Sequence, residues 1–142
     1  MSSVAVVDNT LNNFWDDTLG PESFAGDIEY RCGYVLNNHA TLTWLGVVIW
    51  VSAPTTSGDD EIDIGLGTTA VGTGSEQVIA NESTAPTGVT FSRPTTSGTG
   101  LVIGDIPAGS RKAIWIRRTV NAGAAASTGN SYQLSASGQT LA

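Results

Sequence analysis

The chain has 142 residues, enough for one hydrophobic core and too few for two generous ones. Charged residues are only 13% against 40% hydrophobic, which excludes wholesale disorder and leaves solubility to Ser, Thr, Asn and Gly. A net charge of −7 argues against general binding to nucleic acid or to an anionic membrane.

Residues 1–22 read as an N-terminal arm or edge strand, and residues 23–142 as one β-sandwich domain. The start of the chain lacks a basic region, an apolar stretch and a small-residue cleavage site, so no secretory signal is expected. Val4-Ala-Val-Val7 has the make-up of a short edge strand. Phe14 and Trp15 then stand among polar groups, as rings to be laid onto a surface, this domain's or a neighbour's. Each such ring buries roughly 150–250 Å² when it docks.

Period-two alternation follows, with no helical period. In Ile28–Asn37 the even positions Ile28, Tyr30, Cys32, Tyr34 and Leu36 are apolar, which predicts a half-buried strand with that face inward. Thr41–Ala53 is apolar on both faces: Leu42, Trp44, Val48 and Trp50 on one, Leu45, Val47, Ile49 and Val51 on the other. Such a strand is covered on both sides, by its own chain or by a neighbouring subunit.

Glu61–Gly67 puts Ile62, Ile64 and Leu66 inward, and Val89 with Phe91 suggests a shorter strand. Ala113–Val120 sets Ile114, Ile116 and Val120 against Trp115 and Arg117, and Tyr132, Leu134 and Ala136 mark a last strand. Gly- and Pro-rich links separate them. The expected fold is therefore an all-β antiparallel β-sandwich of about eight strands, Ig-like or jelly roll, with an N-terminal arm.

Charge is uneven along the chain. Ten of the thirteen acidic residues lie at or before Asp63, where Arg31 is the only base, and four of the six basic residues fall within Arg111–Arg118. The asymmetry suits either a head-to-tail fit between copies or solvated strand edges.

Catalytic equipment is not legible. Cys32 and His39 are the only cysteine and histidine, so neither an intrachain disulfide nor a zinc site is expected. Alternation places Cys32 on an apolar face, where a thiol is inert. No Gly-x-Ser-x-Gly or phosphate-binding glycine pattern occurs. The run Asp59-Asp-Glu-Ile-Asp63 is the best cation candidate, but it lacks the spacing of a calcium loop and reads equally as a charged strand shoulder. No cofactor, no metal and no enzymatic activity are expected.

Two segments carry a resemblance. Gly26-Asp-Ile-Glu-Tyr-Arg-Cys-Gly-Tyr-Val-Leu-Asn-Asn-His-Ala-Thr-Leu-Thr43 and Gly104-Asp-Ile-Pro-Ala-Gly-Ser-Arg-Lys-Ala-Ile-Trp-Ile-Arg-Arg-Thr-Val-Asn-Ala-Gly-Ala124 resemble a pattern found in small structural proteins of tailed bacteriophages. The similarity spans roughly Gly26 to Gly138. It implies a virion protein, such as a capsid decoration (cement) protein, whose partners are the major capsid protein or other virion subunits. A homo-oligomer, with a trimer favoured, would follow, without nucleic-acid or membrane contacts. The alternative is a tail, baseplate or fibre-associated β-domain that stacks glycans on Trp15 or Trp115. The candidate contact residues are Phe14 and Trp15 of the arm, Val47 and Ile49 of the doubly apolar strand, and Arg111, Trp115 and Arg117 of the basic strand.

Overall fold

The computed structural model describes residues 14–127 and 129–141. After a short helix α1 (Gly20–Ala25) come six strands: β1 (Asp27–Leu36), β2 (Trp44–Ala53), β3 (Asp60–Leu66), β4 (Leu101–Ile106), β5 (Arg111–Val120) and β6 (Gln133–Gln139). They form two antiparallel three-stranded sheets, ordered β1-β5-β3 and β4-β2-β6. Consecutive strands alternate strictly between the sheets, so no two neighbours in sequence form a hairpin. Every ladder is therefore non-local.

The two sheets share one core. Ile49 and Val51 of β2 meet Ile62 and Ile64 of β3 and Ile114 and Ile116 of β5. Val47, Val51, Ile64 and Ile106 are fully buried, each worth roughly 1.5–3 kcal/mol of transfer free energy. The inward parity expected for Glu61–Gly67 and Ala113–Val120 matches this arrangement. Gly46, at φ +57°, and a register shift beside it kink β2 ahead of its buried stretch.

Among the described residues six strands form, against about eight expected for the chain. Val4–Val7 lies outside the described residues. Val89 and Phe91 belong to the long segment between β3 and β4, which pairs its backbone with β3 at one isolated bridge, Ile64 to Ser92, and does not form a strand. This segment instead lies across the outer face of the first sheet. A Cβ on Gly65 would come within 2.5 Å of Val89 Cγ1 and 2.7 Å of the Thr90 carbonyl, so glycine is what allows the segment to lie so close.

That cover reverses the reading of β1. Val35 packs on the central core, while Ile28 and Leu36 are exposed. The even face turns instead toward the covering segment: Tyr30 meets Phe91 at 5.5 Å between ring centres, and the Tyr34 hydroxyl accepts from the Glu76 amide at 3.1 Å. The short helix α1 was not signalled by periodicity. Its only sequence marks are Pro21 in the first turn and Glu22, whose carboxylate accepts from the Leu19 amide at 2.6 Å. It crosses residue 22, the boundary drawn between arm and domain.

Candidate functional site

Sheet geometry concentrates charge at one end of the first sheet's inner face. Val35, Ile114 and Ile116 make the apolar end. In the register of β1 and β5, Glu29 stands opposite Arg118 and Arg31 opposite Ile116, which makes the other end ionic. Arm residues 14–18 lie over that end.

Two guanidinium groups hold the arm. Arg31 donates through Nε to the Phe14 carbonyl at 3.1 Å. Arg118 donates through Nη1 to the Asp16 carbonyl at 3.1 Å and through Nη2 to Thr18 Oγ1 at 2.7 Å. The arm's rings complete the contact. Phe14 meets Trp15 edge to face, Arg31 lies over the indole, and Trp15 Nε1 donates to the Tyr132 hydroxyl at 3.1 Å. Phe14 and Trp15 therefore pack on their own domain.

The same guanidiniums are shared among four carboxylates. Arg31 Nη2 lies 2.6 Å from Glu82, 3.7 Å from Glu29 and 3.9 Å from Asp16. Arg118 lies 3.4 Å from Glu29 and 3.2 Å from Asp60. Glu29 is 5% exposed. Burial, with the Asp16 carboxylate close by, pushes its carboxyl up to about 7, against the pull of Arg31 and Arg118. Asp16, Glu29 and Glu82 offer oxygens within 4.8 Å of one another, but the Arg31 guanidinium already serves them as cation.

Beside the arm lies an open groove of about 850 Å³, bounded by Trp15, Asp16, Asp59, Asp60, Asn130 and Tyr132. Its polar groups are largely engaged with one another. Asn130 Nδ2 donates to Asp60, and Asn130 Oδ1 accepts from the Thr56 and Ser57 amides. Chemistry elsewhere is equally closed. Burial pushes the Cys32 thiol up to about 12, with the Glu76 charge adding to it. His39 Nδ1 accepts from the Thr41 and Leu42 amides and so shapes the loop before β2.

No family model, curated protein or solved structure matches the chain.

The other sequence candidates move inward. Val47 and Ile49 are core residues; the face of β2 turned away from the core carries Val48 and Trp50 instead. Trp115 is 1% exposed, which removes it as a stacking platform for sugars. Arg111 and Arg117 also face partners in their own chain. Arg117 pairs with Asp63 at 2.7 Å and lies over Phe91, while Arg111 lies over Tyr34 and donates to the Thr73 carbonyl. The acidic run pairs likewise, Asp60 with Arg118 and Glu61 with Arg93. The charge asymmetry has an account within the chain: acidic β3 and basic β5 are neighbours in one sheet.

Sequence reading missed Glu29, Asp16, Arg118 and Tyr132 as a group. The one available signal was a charged residue at alternate positions of two strands otherwise rich in apolar side chains. No helix among the described residues is long and apolar enough to cross a membrane.

Proposed function

We propose that this chain is a non-enzymatic structural subunit of a tailed-phage virion, a capsid decoration protein that binds the outer head shell and ties capsid subunits together. The observation that carries the reading is the outer face of the second sheet. Val48 stands opposite Val102 on one side and Ser137 on the other, and Trp50 stands opposite Ser135. Val102 is 69% exposed. Small serines beside Val48 and Trp50 leave the apolar side chains of this face uncovered and suited to packing on another subunit. The sequence resemblance supplies the virion context.

The two sheets and their shared core support a β-sandwich, and strict alternation between sheets favours the jelly-roll form. An Ig-like order keeps some consecutive strands in one sheet. Many such weak contacts, repeated around a shell, suffice for tight attachment.

Quantitative mass spectrometry of purified particles tests the reading. Hundreds of copies per particle, removed with the outer shell layer, are expected. A handful of copies, or copies confined to tails, would rule it out. Cross-linking on the particle then reports whether the subunit sits as a trimer.

A further inference from the structure

Beside the ring contacts of Phe14 and Trp15, arm residues 14–18 are held to the domain through Arg31 and Arg118, and those two cations face an excess of acid. Asp16 comes from the arm, Glu29 from β1, Glu82 from the covering segment and Asp60 from β3. Among the described residues, four carboxylates against two guanidiniums leave two negative charges too many if all are ionised. Glu29, almost fully buried, is where that excess is least solvated. A proton on Glu29 removes part of the excess and lets its carboxyl donate to the Asp16 carboxylate.

We infer that a protonated Glu29 facing Asp16 latches residues 14–18 onto the domain, and that ionising Glu29 loosens the arm while the sheets stay folded. Lifting the arm carries Asp16 away and opens Glu29 to water beside Arg31 and Arg118, so the ionised carboxylate favours the lifted state. The direction follows from linkage. Glu29, at about 7 when the arm is docked against 4.5 ordinarily, binds its proton more tightly docked than lifted. Docking is therefore strongest below about pH 4.5, weakens as pH rises toward 7, and is constant above it. This device does not depend on the virion reading.

Hydrogen exchange of the full chain, corrected for intrinsic rates, tests it at pH 5.5 and 8.0. The Trp15 indole N–H, which donates to Tyr132 when the arm is docked, should lose protection by roughly tenfold or more at the higher pH, while the amides of β2 keep theirs. Glu29→Gln keeps a donor toward Asp16 without the charge and should hold the arm equally at both pH values. Asp16→Asn, which relieves the same excess from the arm side, should flatten the dependence too and stands in if Glu29→Gln does not fold. Unchanged arm protection in the natural chain overturns the latch. So does a pH dependence that persists in the variants, or a loss shared equally by β2.

Discussion

Asp63 of β3 and Arg117 of β5 stand directly opposite each other in the first sheet, with Arg117 Nη2 2.7 Å from Asp63 Oδ2. Arg93, on the covering segment, reaches the other oxygen of the same carboxylate at 3.2 Å. Asp63 thus joins two strands and the cover above them, and it is 7% exposed. Asp63→Ala would leave two guanidiniums beside each other without their shared counter-charge. The expected cost is about 2 kcal/mol, below the full value for a buried pair because both arginines are partly solvated. A lower urea midpoint at unchanged slope checks it. A second cycle with Arg93→Met should show coupling, since both residues serve one network.

Glu76 ties the covering segment to β1 through its amide, which donates to Tyr34, and its carboxylate folds the segment on itself by accepting from Thr68 Oγ1 and the Thr69 amide, each at 2.9 Å. Burial opposes its charge, but the donors of Thr69, Thr68 and Gln77 outweigh it and hold the carboxyl at about 2. A folded value below the unfolded one contributes stability above about pH 4.5 that is lost as pH falls toward 2. The shift from 4.5 to about 2 corresponds to about 3 kcal/mol. Urea unfolding of the natural chain and of Glu76→Gln should differ most at neutral pH and converge near pH 2. A constant gap across that range would contradict the assignment.

The inner strands were legible because their parity is enforced from one side. Ile62, Ile64, Ile114 and Ile116 meet the opposite sheet, and alternation alone places them. Alternation does not say which apolar face meets which cover. β1 shows the consequence, since its tyrosines serve the segment above the sheet while Val35 serves the core. Trp115 was read as outward for the same reason, and the outward face proved to be roofed. The ionic site was illegible because residues 16, 29, 82 and 118 are far apart in sequence. Only the β1–β5 register and the returning arm bring them together.

Gly65 measures how tightly the cover is seated. With a Cβ there 2.5 Å from Val89 Cγ1 and 2.7 Å from a backbone oxygen, Gly65→Ala requires the segment to shift. The expected loss is about 2 kcal/mol, in the range of overpacked cores. Gly58→Ala, with nothing within 4 Å, is the matched control and should change stability little. Faster hydrogen exchange at residues 89–92 in Gly65→Ala would locate the loss at the cover.

Cys32 of β1 lies half-buried on the face turned toward that cover, and its thiol, pushed up to about 12 chiefly by burial, stays protonated at neutral pH. A thiol-specific disulfide reagent at pH 8 should react far more slowly with the folded chain than with the urea-unfolded one. Rapid labelling of the folded protein would mean that the segment lifts readily. The Gly65→Ala variant should label faster than the natural chain for the same reason.

Val47 and Val48 are adjacent in sequence and serve opposite faces of β2, so one pair of substitutions separates the core from the proposed contact strip. Val47 is fully buried, and an aspartate there would be an unpaired charge in the shared core. Val47→Asp should fail to fold, seen as loss of cooperative thermal unfolding. Val48 pairs with Val102 and Ser137 on the outer face. Val48→Asp should still fold, with a Tm lowered by several degrees at most, since Val48 is half-buried on the outer face and outside the shared core, where substitutions cost about 1 kcal/mol. It should nevertheless lose attachment to particles in a sedimentation assay, because the charge must be desolvated at the contact. Val102→Asp, across the ladder on the same strip, should behave alike. If both folded variants sediment with particles as the natural chain does, the contact lies elsewhere on the molecule.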